Sequence, residues 1–170
     1  MSSSPRSTDK TNGHVSADEF RLVCSRFATG VCVVTTTSPE GVPHGITVNS
    51  FTSLSLDPPL VMAAIGALSQ QLPAFEKSGF FAVNILEESQ ETLSRHFARR
   101  QQEGRFQDIP WSPGATGSPI FADTLGIIEC EIVQSLDTGD HRVLVGKALH
   151  AQVHEGKPLL YYRSGYAGLR

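Results

Sequence analysis

Apolar residues recur at helical spacing close to the beginning of the chain. The sequence SADE, Ser16 to Glu19, has the residue types of a capping box, in which each of the two end side chains bonds to the other residue's backbone N–H group. Gly30 is suited to the left-handed conformation that often ends a helix. We therefore predict a helix that starts at Ser16 and presents one apolar face. The residues of that face are Phe20, Val23, Cys24, Phe27 and Ala28.

β-branched residues dominate the next part of the chain. The segment VCVVTTT, 31–37, predicts a strand, and SPEG, 38–41, predicts a turn with proline at its second position. A return strand begins near Val42 and ends at Asp57, because the two prolines that follow remove two consecutive backbone donors. LVMAAI, 60–65, predicts a buried strand.

Two short helices flank another buried strand. Residues 69–77 predict a helix closed by a glycine, FFAVNIL, 80–86, predicts a strand, and residues 89–99 predict a helix with Leu93 and Phe97 facing inward. This part of the chain therefore adds helices to the outside of a sheet.

A loop and two long strands complete the chain. Proline and glycine are frequent in 101–119, which predicts an ordered, irregular loop that packs through Phe106 and Trp111. Strands are predicted at 126–135 and 141–153, joined by the turn TGD. Apolar and charged residues alternate along the first of these strands, which predicts one buried face and one solvated face. The buried face comprises Ile128, Cys130 and Ile132, and the solvated face Glu129 and Glu131.

The predicted fold is mainly β: a mostly antiparallel split β-barrel with Greek-key connections and a few short flanking helices. Strands joined by hairpins favour a sheet that closes to remove its edges. With 170 residues and 39% hydrophobic content, one domain is expected at 16–170. Residues 1–15 contain almost nothing apolar and are predicted to form a flexible tail.

Charge narrows the classes of partner. The 14 basic and 17 acidic residues give a net charge of −3, which disfavours nucleic acid and anionic membranes. No apolar run reaches the ~20 residues of a spanning helix, and the first residues lack the centre of a signal peptide, so a cytoplasmic protein is expected. Cys24, Cys32 and Cys130 are far apart and predict reduced core thiols.

Histidines are the main candidates for chemistry. His150 and His154 are four residues apart, but their segment reads as a strand running into a turn, so no metal site is predicted. His14 and His44 are interpreted as solvated. His141 follows the turn TGD and projects from the mouth of a strand, where sites are common, so structural and functional interpretations have equal weight.

The segment TVNSFTSLSLDPP, 47–59, is unusually polar for a strand. In a period of two, allowing for a bulge, one face carries almost only hydrogen-bonding side chains. That face is either a solvent surface or a cradle for a flat, phosphorylated ligand, whose oxygens short neutral donors and backbone amides can reach. The residue pattern leaves both interpretations open.

Six segments occur in an order that is typical of one family. They span about residues 20–169 and are FATGVCVVTT (27–36), GVPHGITVNSFTSLSLDPPLV (41–61), FFAVNIL (80–86), RHFARR (95–100), GDHRVLVGKA (139–148) and PLLYYRSGYAGL (158–169). In these segments the chain resembles the flavin reductase-like family of FMN-binding split barrels, the small reductase components of two-component flavin monooxygenases.

The resemblance implies a homodimer in which each barrel binds FMN or FAD and uses NADH or NADPH as co-substrate. His141 is the implied catalytic residue, as an orienting hydrogen-bond donor or a proton relay. Ser69 would open the helix near the flavin phosphate, although the family's pattern there is often Ser-Arg-Thr and this chain has Ser69-Gln70-Gln71. The other implied cofactor-binding residues are Thr47, Val48, Asn49 and Ser50 at the ring and phosphate, Ser55, Leu56 and Asp57 at the ring's other edge, Phe97 and Ala98 near the flavin tail, and Arg163 and Tyr166 at the nicotinamide pocket.

The function implied by the resemblance is NAD(P)H-dependent reduction of flavin. Reduced flavin would diffuse to a separate monooxygenase component, and anchoring by neutral Asn and Ser with few cations would allow its release. Two alternatives stay open: a non-catalytic flavin-binding protein, and a self-contained flavin oxygenase.

Overall fold

The computed structural model describes residues 15–99 and 104–169. Within them the chain forms three α-helices, twelve strands and one 3-10 turn, Glu88–Gln90. The helices are α1 (Ala17–Cys24), α2 (Leu72–Ser78) and α3 (Glu91–Ala98). The strands are β1 (Thr29–Gly30), β2 (Cys32–Thr37), β3 (Pro43–Val48), β4 (Thr52–Leu56), β5 (Pro59–Gly66), β6 (Phe80–Ile85), β7 (Ser112–Pro113), β8 (Pro119–Ile120), β9 (Gly126–Thr138), β10 (His141–Val153), β11 (Leu160–Tyr162) and β12 (Gly165–Ala167). The prediction of a mainly β protein with short helices is confirmed.

Seven strands form one antiparallel sheet in the order β3-β2-β6-β9-β10-β5-β4. Its two edge strands, β3 and β4, are joined by only three residues, 49–51, so the sheet must curl to bring its edges together. Ser50 fixes this closure: its hydroxyl donates to the carbonyl oxygen of Ala64 on β5 at 2.9 Å and accepts from the Ala64 N–H at 3.0 Å.

The sequence pattern predicted that the polar segment up to Asp57 belongs to one strand. The structure shows instead that segment 47–59 is divided between two strands. β3 ends at Val48 and pairs with β2, whereas β4 begins at Thr52 and pairs with β5. The side-chain alternation restarts after the break, so the polar residues do not share a single face.

The core has two parts. Inside the curled sheet, Phe75, Phe81 and Leu144 are fully buried. A second cluster lies under α3, where Phe97 is fully buried and Leu93 packs against the same group, as predicted. Phe106 contacts Phe97 edge-on at 5.0 Å between ring centroids, and Trp111 contacts Phe106 at 5.8 Å, which confirms that the loop packs through these rings.

The first helix differs from its prediction. The Ser16 and Glu19 capping box is present, but α1 ends at Cys24, and Gly30 pairs in β1 with Leu160. The helix is short because the chain turns at once, with the Arg26 N–H donating to the Val23 carbonyl at 3.0 Å. No residue of α1 is buried, so its apolar face does not pack on the described part of the chain.

Three further assignments need correction. Cys24 is exposed, because it lies on α1, while Cys32 and Cys130 are buried as predicted. Glu129 is 2% exposed, since its carboxylate accepts bonds from the turn at Ala115 and Thr116; Glu131 is exposed as expected. His44 is half-buried, with Nδ1 3.1 Å from Gln71 Oε1.

The predicted tail falls outside the described residues, apart from the exposed Val15, and His14 lies outside them too. In 15–99 and 104–169, no helix has the length and apolar content needed to cross a membrane.

Candidate functional site

A groove runs along one side of the barrel, between the end of β3, the last turn of α3 and the β11–β12 hairpin. It consists of three adjoining cavities of about 440, 220 and 520 Å³. Ala98, the last residue of α3, lines all three, and Thr47 lines two. Ligand sites of drug-sized molecules commonly occupy roughly 300–1,000 Å³.

The middle cavity is the smallest of the three, with a volume of about 220 Å³. Thr47 and Val48 come from the end of β3, Asn49 follows them, and the rings of Tyr161 and Tyr166 form the opposite wall. The Thr47 hydroxyl donates to the Ser94 carbonyl oxygen at 2.7 Å, which ties β3 to α3. Its donor is thus used within the protein, whereas the exposed Asn49 amide projects from the strand end with both donors available to a ligand.

The 440 Å³ cavity lies beside the hairpin. Tyr166 is held by a 2.8 Å hydrogen bond between its hydroxyl and Ser94 Oγ, and the Arg95 guanidinium carbon lies 4.6 Å from its ring centroid. Tyr161 packs edge-on against Tyr166 at 5.4 Å. The hairpin turn at Arg163 and Ser164, both with positive φ, puts Ser164 at the rim. This side of the groove therefore presents the rings of Tyr161 and Tyr166, with the positive charge of Arg95 beside them.

The 520 Å³ cavity is bounded by the loop that leads from β5 into α2. Leu68, Ser69 and Gln70 form one side, and Ala98, Arg99 and Arg105 the other. Ser69 does not open the helix as predicted, because α2 begins at Leu72 with Gln71 as its N-cap. The residue nevertheless lies in the groove through the loop that carries it.

Seven of the twelve residues predicted to bind cofactor line this groove. They are Thr47, Val48, Asn49, Ser69, Phe97, Ala98 and Tyr166. Phe97 contributes as part of the core, since its ring is fully buried against Phe106 and Phe121.

The remaining predicted residues line none of the three cavities. Both sides of the Ser50 hydroxyl are engaged by Ala64. Ser55, Leu56 and Asp57 belong to the β4–β5 hairpin at the sheet edge, where Leu56 is 94% exposed. Arg163 lies at the hairpin turn, with its N–H donating to the Ser25 carbonyl. In the single described chain Leu56, Asp57 and Arg163 are exposed, whereas Ser50 and Ser55 are half-buried.

His141 starts β10 after the Gly139–Asp140 turn and is exposed, as its position in the sequence predicts. Its Nδ1 lies 2.7 Å from Asp140 Oδ1, and this hydrogen bond is the largest cause that lowers the pKa of the Asp140 carboxyl. The Ala67 N–H donates to the Asp140 carbonyl at 2.9 Å, which places the turn against the loop that carries Ser69. His141 therefore follows a turn that is bonded to the same loop as Ser69, although it lines none of the three cavities itself.

Sequence reasoning missed the cations of the groove. Arg95, Arg99 and Arg105 and the ring of Tyr161 all line it, although few cations were expected. Arg95 and Arg99 are four apart in the helix predicted over 89–99, and in such a helix that spacing places both on one side. That signal was available, although α3 ends at Ala98 and Arg99 is extended, whereas no signal showed the return of Arg105 from the following loop.

No group of three or more His, Cys, Asp or Glu side chains suited to a metal ion occurs in the part of the chain that the structure describes. His154 Nδ1 bonds instead to the Thr124 carbonyl oxygen at 2.7 Å, and His150 is exposed on β10.

Comparison with known families shows which family the chain belongs to. The model of the flavin reductase like domain matches residues 24–170. The chain belongs to the flavin reductase family. The match includes every element from β1 to β12 and thus all walls of the groove.

Individual flavin reductases are similar over most of their length. The chain is 41% identical over 149 residues to the FMN reductase (NADH) SmoA of Agrobacterium fabrum, covering 88% of this chain and 84% of that one. It is 39% identical over 151 residues to the reductase subunit HsaB of a flavin-dependent monooxygenase from Rhodococcus jostii, covering 88% and 76%. The solved structure of the Streptomyces globisporus NADH:FAD oxidoreductase SgcE6, in complex with NAD and FAD fragments, superposes with a TM-score of 0.84 at 33% identity, covering 90% of this chain and 92% of that one.

Proposed function

We propose that the protein is an NAD(P)H:flavin oxidoreductase that reduces FMN or FAD in the groove beside α3. The observation that carries the proposal is the groove itself: in a flavin reductase fold, the end of β3 presents Thr47, Val48 and Asn49 to a slot walled by tyrosines. Relatives named as an FMN reductase using NADH and as an NADH:FAD oxidoreductase support the two substrates.

The residues of the groove fit a flavin. An isoalloxazine ring needs flat apolar walls, which Val31, Val48 and the tyrosines offer in the middle cavity. A ribityl phosphate needs donors and positive charge, which Ser69, Gln70 and Arg99 offer in the adjoining one. The small residue Ala98 at the junction leaves the passage between these cavities open.

Bound NAD(P)H supplies a hydride that the flavin accepts, so the chain needs no strong acid or base of its own. Its residues position and shield the rings. The Thr47 to Ser94 bond holds the two walls of the groove together, and Ser50 fixes the strand end that carries Asn49. Close face-to-face placement is the main contribution a protein makes to such a transfer.

His141 is proposed to orient the nucleotide or to relay a proton. Its Nδ1 is engaged by Asp140, which leaves Nε2 directed away from that contact and able to bond a ligand. Arg163 and Tyr166 are proposed to belong to the nicotinamide pocket, one at the hairpin turn and the other in the wall beneath it.

Reduced flavin is proposed to serve a separate monooxygenase component, because HsaB is named as the reductase subunit of such a system. The predicted reason for release, a site with few cations, is not supported, since three arginines line the groove. An open groove allows exchange instead: the three cavities lie at the surface and connect along it.

A homodimer is also proposed. Large apolar side chains on α1 and on β4 are exposed in the single chain, an arrangement that favours burial against another copy. The exposed side chains are Phe20, Leu22, Val23 and Phe27 in and after α1 and Leu54 and Leu56 on β4.

Light scattering tests the proposed homodimer. The protein should have twice the mass of one chain, and Val23→Asp should give a monomer.

The activity is tested by following oxidation of NADH and NADPH with riboflavin, FMN and FAD in turn. Flavin-dependent oxidation of one nucleotide supports the proposal. Flavin binding without any oxidation would leave a non-catalytic flavin protein, and oxygenated product formed without a second protein would indicate a self-contained oxygenase.

A further inference from the structure

Ser94 on α3 is bonded to both walls of the middle cavity. The residue is polar and yet 0% exposed. Its carbonyl oxygen accepts from the Thr47 hydroxyl at 2.7 Å, and its hydroxyl oxygen lies 2.8 Å from the hydroxyl oxygen of Tyr166. Thr47 and Tyr166 both line the middle cavity, one from β3 and the other from β12. One buried residue therefore connects the two walls.

Tyr166 lies on a small sheet that is separate from the seven-stranded one. β12 is an edge strand of this sheet, β1-β11-β12, and pairs with β11 over three residues, while β1 contributes only two. Tyr161 packs on Tyr166 from the same hairpin, so that contact does not connect the hairpin to the helix. Contacts with Ser94 and Arg95 join the Tyr166 side chain to α3.

The two contacts with α3 differ in strength. The Arg95 guanidinium carbon lies 4.6 Å from the Tyr166 ring centroid, but the Arg95 side chain is 61% exposed and its Nε is paired with Glu91 Oε1 at 2.7 Å. Cation–π and ion-pair contacts at exposed positions contribute little. The hydrogen bond to Ser94 is directional, and a buried hydroxyl that loses its partner cannot turn to water instead. Ser94 is therefore the stronger restraint on the ring.

We infer that Ser94 is a positioning residue for the nucleotide, because its hydroxyl holds the Tyr166 ring at a fixed separation from β3. This inference rests on the proposed function, which places Tyr166 in the nicotinamide pocket. With its hydroxyl engaged by Ser94, Tyr166 offers its ring to a ligand, so the bond acts through the placement of that ring.

The effect should fall mainly on the nucleotide. Tyr166 lines the 440 and 220 Å³ cavities but not the 520 Å³ cavity, where the flavin phosphate is proposed to bind. A flavin therefore keeps its contacts with β3 and with the 520 Å³ cavity when the Tyr166 ring is released. The nucleotide has to bind against the wall that the ring forms.

Removal of each hydroxyl in turn tests the inference. Ser94→Ala and Tyr166→Phe break the same bond, so each should raise the KM for the nucleotide roughly threefold to tenfold, as expected for one net hydrogen bond. The double variant should be no worse than either single variant. The kcat at saturating nucleotide should change less, because the wall is present in the ground state and the transition state alike. Alanine is the best helix former, so Ser94→Ala should fold.

Binding without turnover gives a second readout. Calorimetric titration of the FMN-loaded protein with NAD⁺, or with NADP⁺ if the protein oxidises NADPH, should show the same loss of affinity in Ser94→Ala and Tyr166→Phe. FMN binding, followed by flavin fluorescence, should change much less. Tyr162→Phe removes a hydroxyl from an exposed tyrosine of the same hairpin that lines none of the three cavities, and it should bind both ligands as the unchanged protein does.

Amide hydrogen exchange reports on the hairpin itself. In Ser94→Ala, the amides of residues 160–167 should exchange faster than in the unchanged protein, whereas those of β9 and β10 should not change. Equal exchange of the hairpin in both proteins would show that the bond does not restrain it and would overturn the inference.

Three kinetic results would also overturn the inference. Effects of Ser94→Ala and Tyr166→Phe that add in the double variant would mean that the Tyr166 hydroxyl acts on the ligand directly. A lower melting temperature of Ser94→Ala with an unchanged KM would mean that the bond serves stability alone, and equal losses of FMN and nucleotide affinity would mean that it does not act mainly on the nucleotide. Failure of the unchanged protein to oxidise NADH or NADPH with any flavin would instead overturn the proposed function itself.

Discussion

Burial divides the cysteines into two classes. Removal from water raises the pKa of the Cys32 and Cys130 thiols to about 12, and for Cys130 the nearby Glu129 charge adds to the effect. Both thiols should therefore stay protonated and unreactive at neutral pH. In Cys24→Ser, a thiol reagent should label no cysteine of the native protein and two after denaturation; labelling of the native protein would contradict the burial.

The same shift affects stability at high pH. A thiol whose pKa is raised by folding from 9.0 contributes stability that is fully present below pH 9.0 and is lost as the pH rises toward about 12.

Sequence alternation correctly placed Cys130 in the core but gave no sign that Cys24 would be exposed, because the packing of α1 depends on what lies opposite it.

Glu129 shows where alternation fails. Its carboxylate accepts bonds from the N–H groups of Ala115 at 3.1 Å and Thr116 at 2.7 Å and from the Thr116 hydroxyl at 2.8 Å. The pattern cannot show that a loop from before the strand covers this face. Glu129→Gln should lower the free energy of unfolding by about 1–3 kcal/mol, because charge-assisted bonds are lost.

Denaturant unfolding measures this effect, and Glu131→Gln is the matched control. Glu131 lies two residues along the same strand and is exposed, so its change should have little effect. Equal stability of both variants would mean that the turn at Ala115 and Thr116 does not depend on the carboxylate.

His141 is proposed to orient the nucleotide or to relay a proton, and a substitution tests this role. His141→Ala should lower kcat by roughly tenfold to hundredfold, the lower range for a residue that orients or relays a proton. The dissociation constant of the flavin should stay nearly unchanged, since the residue lines none of the three cavities. His150→Ala, an exposed histidine on the same strand, is the control; an unaltered kcat at saturating nucleotide would remove the role of His141.

Strands and their turns were predictable where the signal is local. The turn at residues 38–41, the glycine that closes α2 and the hairpin of β9 and β10 all follow from residue type. The break at residues 49–51 does not follow from residue type, because the residues on both sides of it are strand-like. Only the sheet order shows that β3 and β4 lie at opposite edges. Pairing partners are a long-range property that side-chain alternation does not record.

The packing of β10 inside the curled sheet depends on Gly146. A Cβ at this position would lie 2.6 Å from Phe81 Cε1 and 2.7 Å from Cys130 Cβ. Gly146→Ala should therefore destabilise the protein by about 1–3 kcal/mol through overpacking. Gly66→Ala on the neighbouring β5, where a Cβ would meet nothing within 4 Å, is the control in thermal unfolding. A Gly146→Ala variant as stable as this control would show that the core can rearrange around a methyl group.

At the scale of the whole molecule, the fold class and the family follow from the ordered segments of the sequence, and about half of the site follows from them too. Thr47, Val48, Asn49 and Ala98 were predicted and line the groove. Arg105 was not, because it comes from a loop whose return to β3 and α3 no local pattern encodes.

The central claim is that flavin is reduced in the groove where the three cavities meet. Ala98 is exposed and lines each of them, so Ala98→Trp should fill the junction without disturbing the core. Ala122→Trp places the same side chain at an exposed position elsewhere. Measured as flavin-dependent NADH oxidation, kcat/KM of Ala98→Trp should fall roughly hundredfold at an unchanged melting temperature, while Ala122→Trp keeps its activity. A folded Ala98→Trp variant with the kcat/KM of the unchanged protein would place the reaction elsewhere and contradict the account.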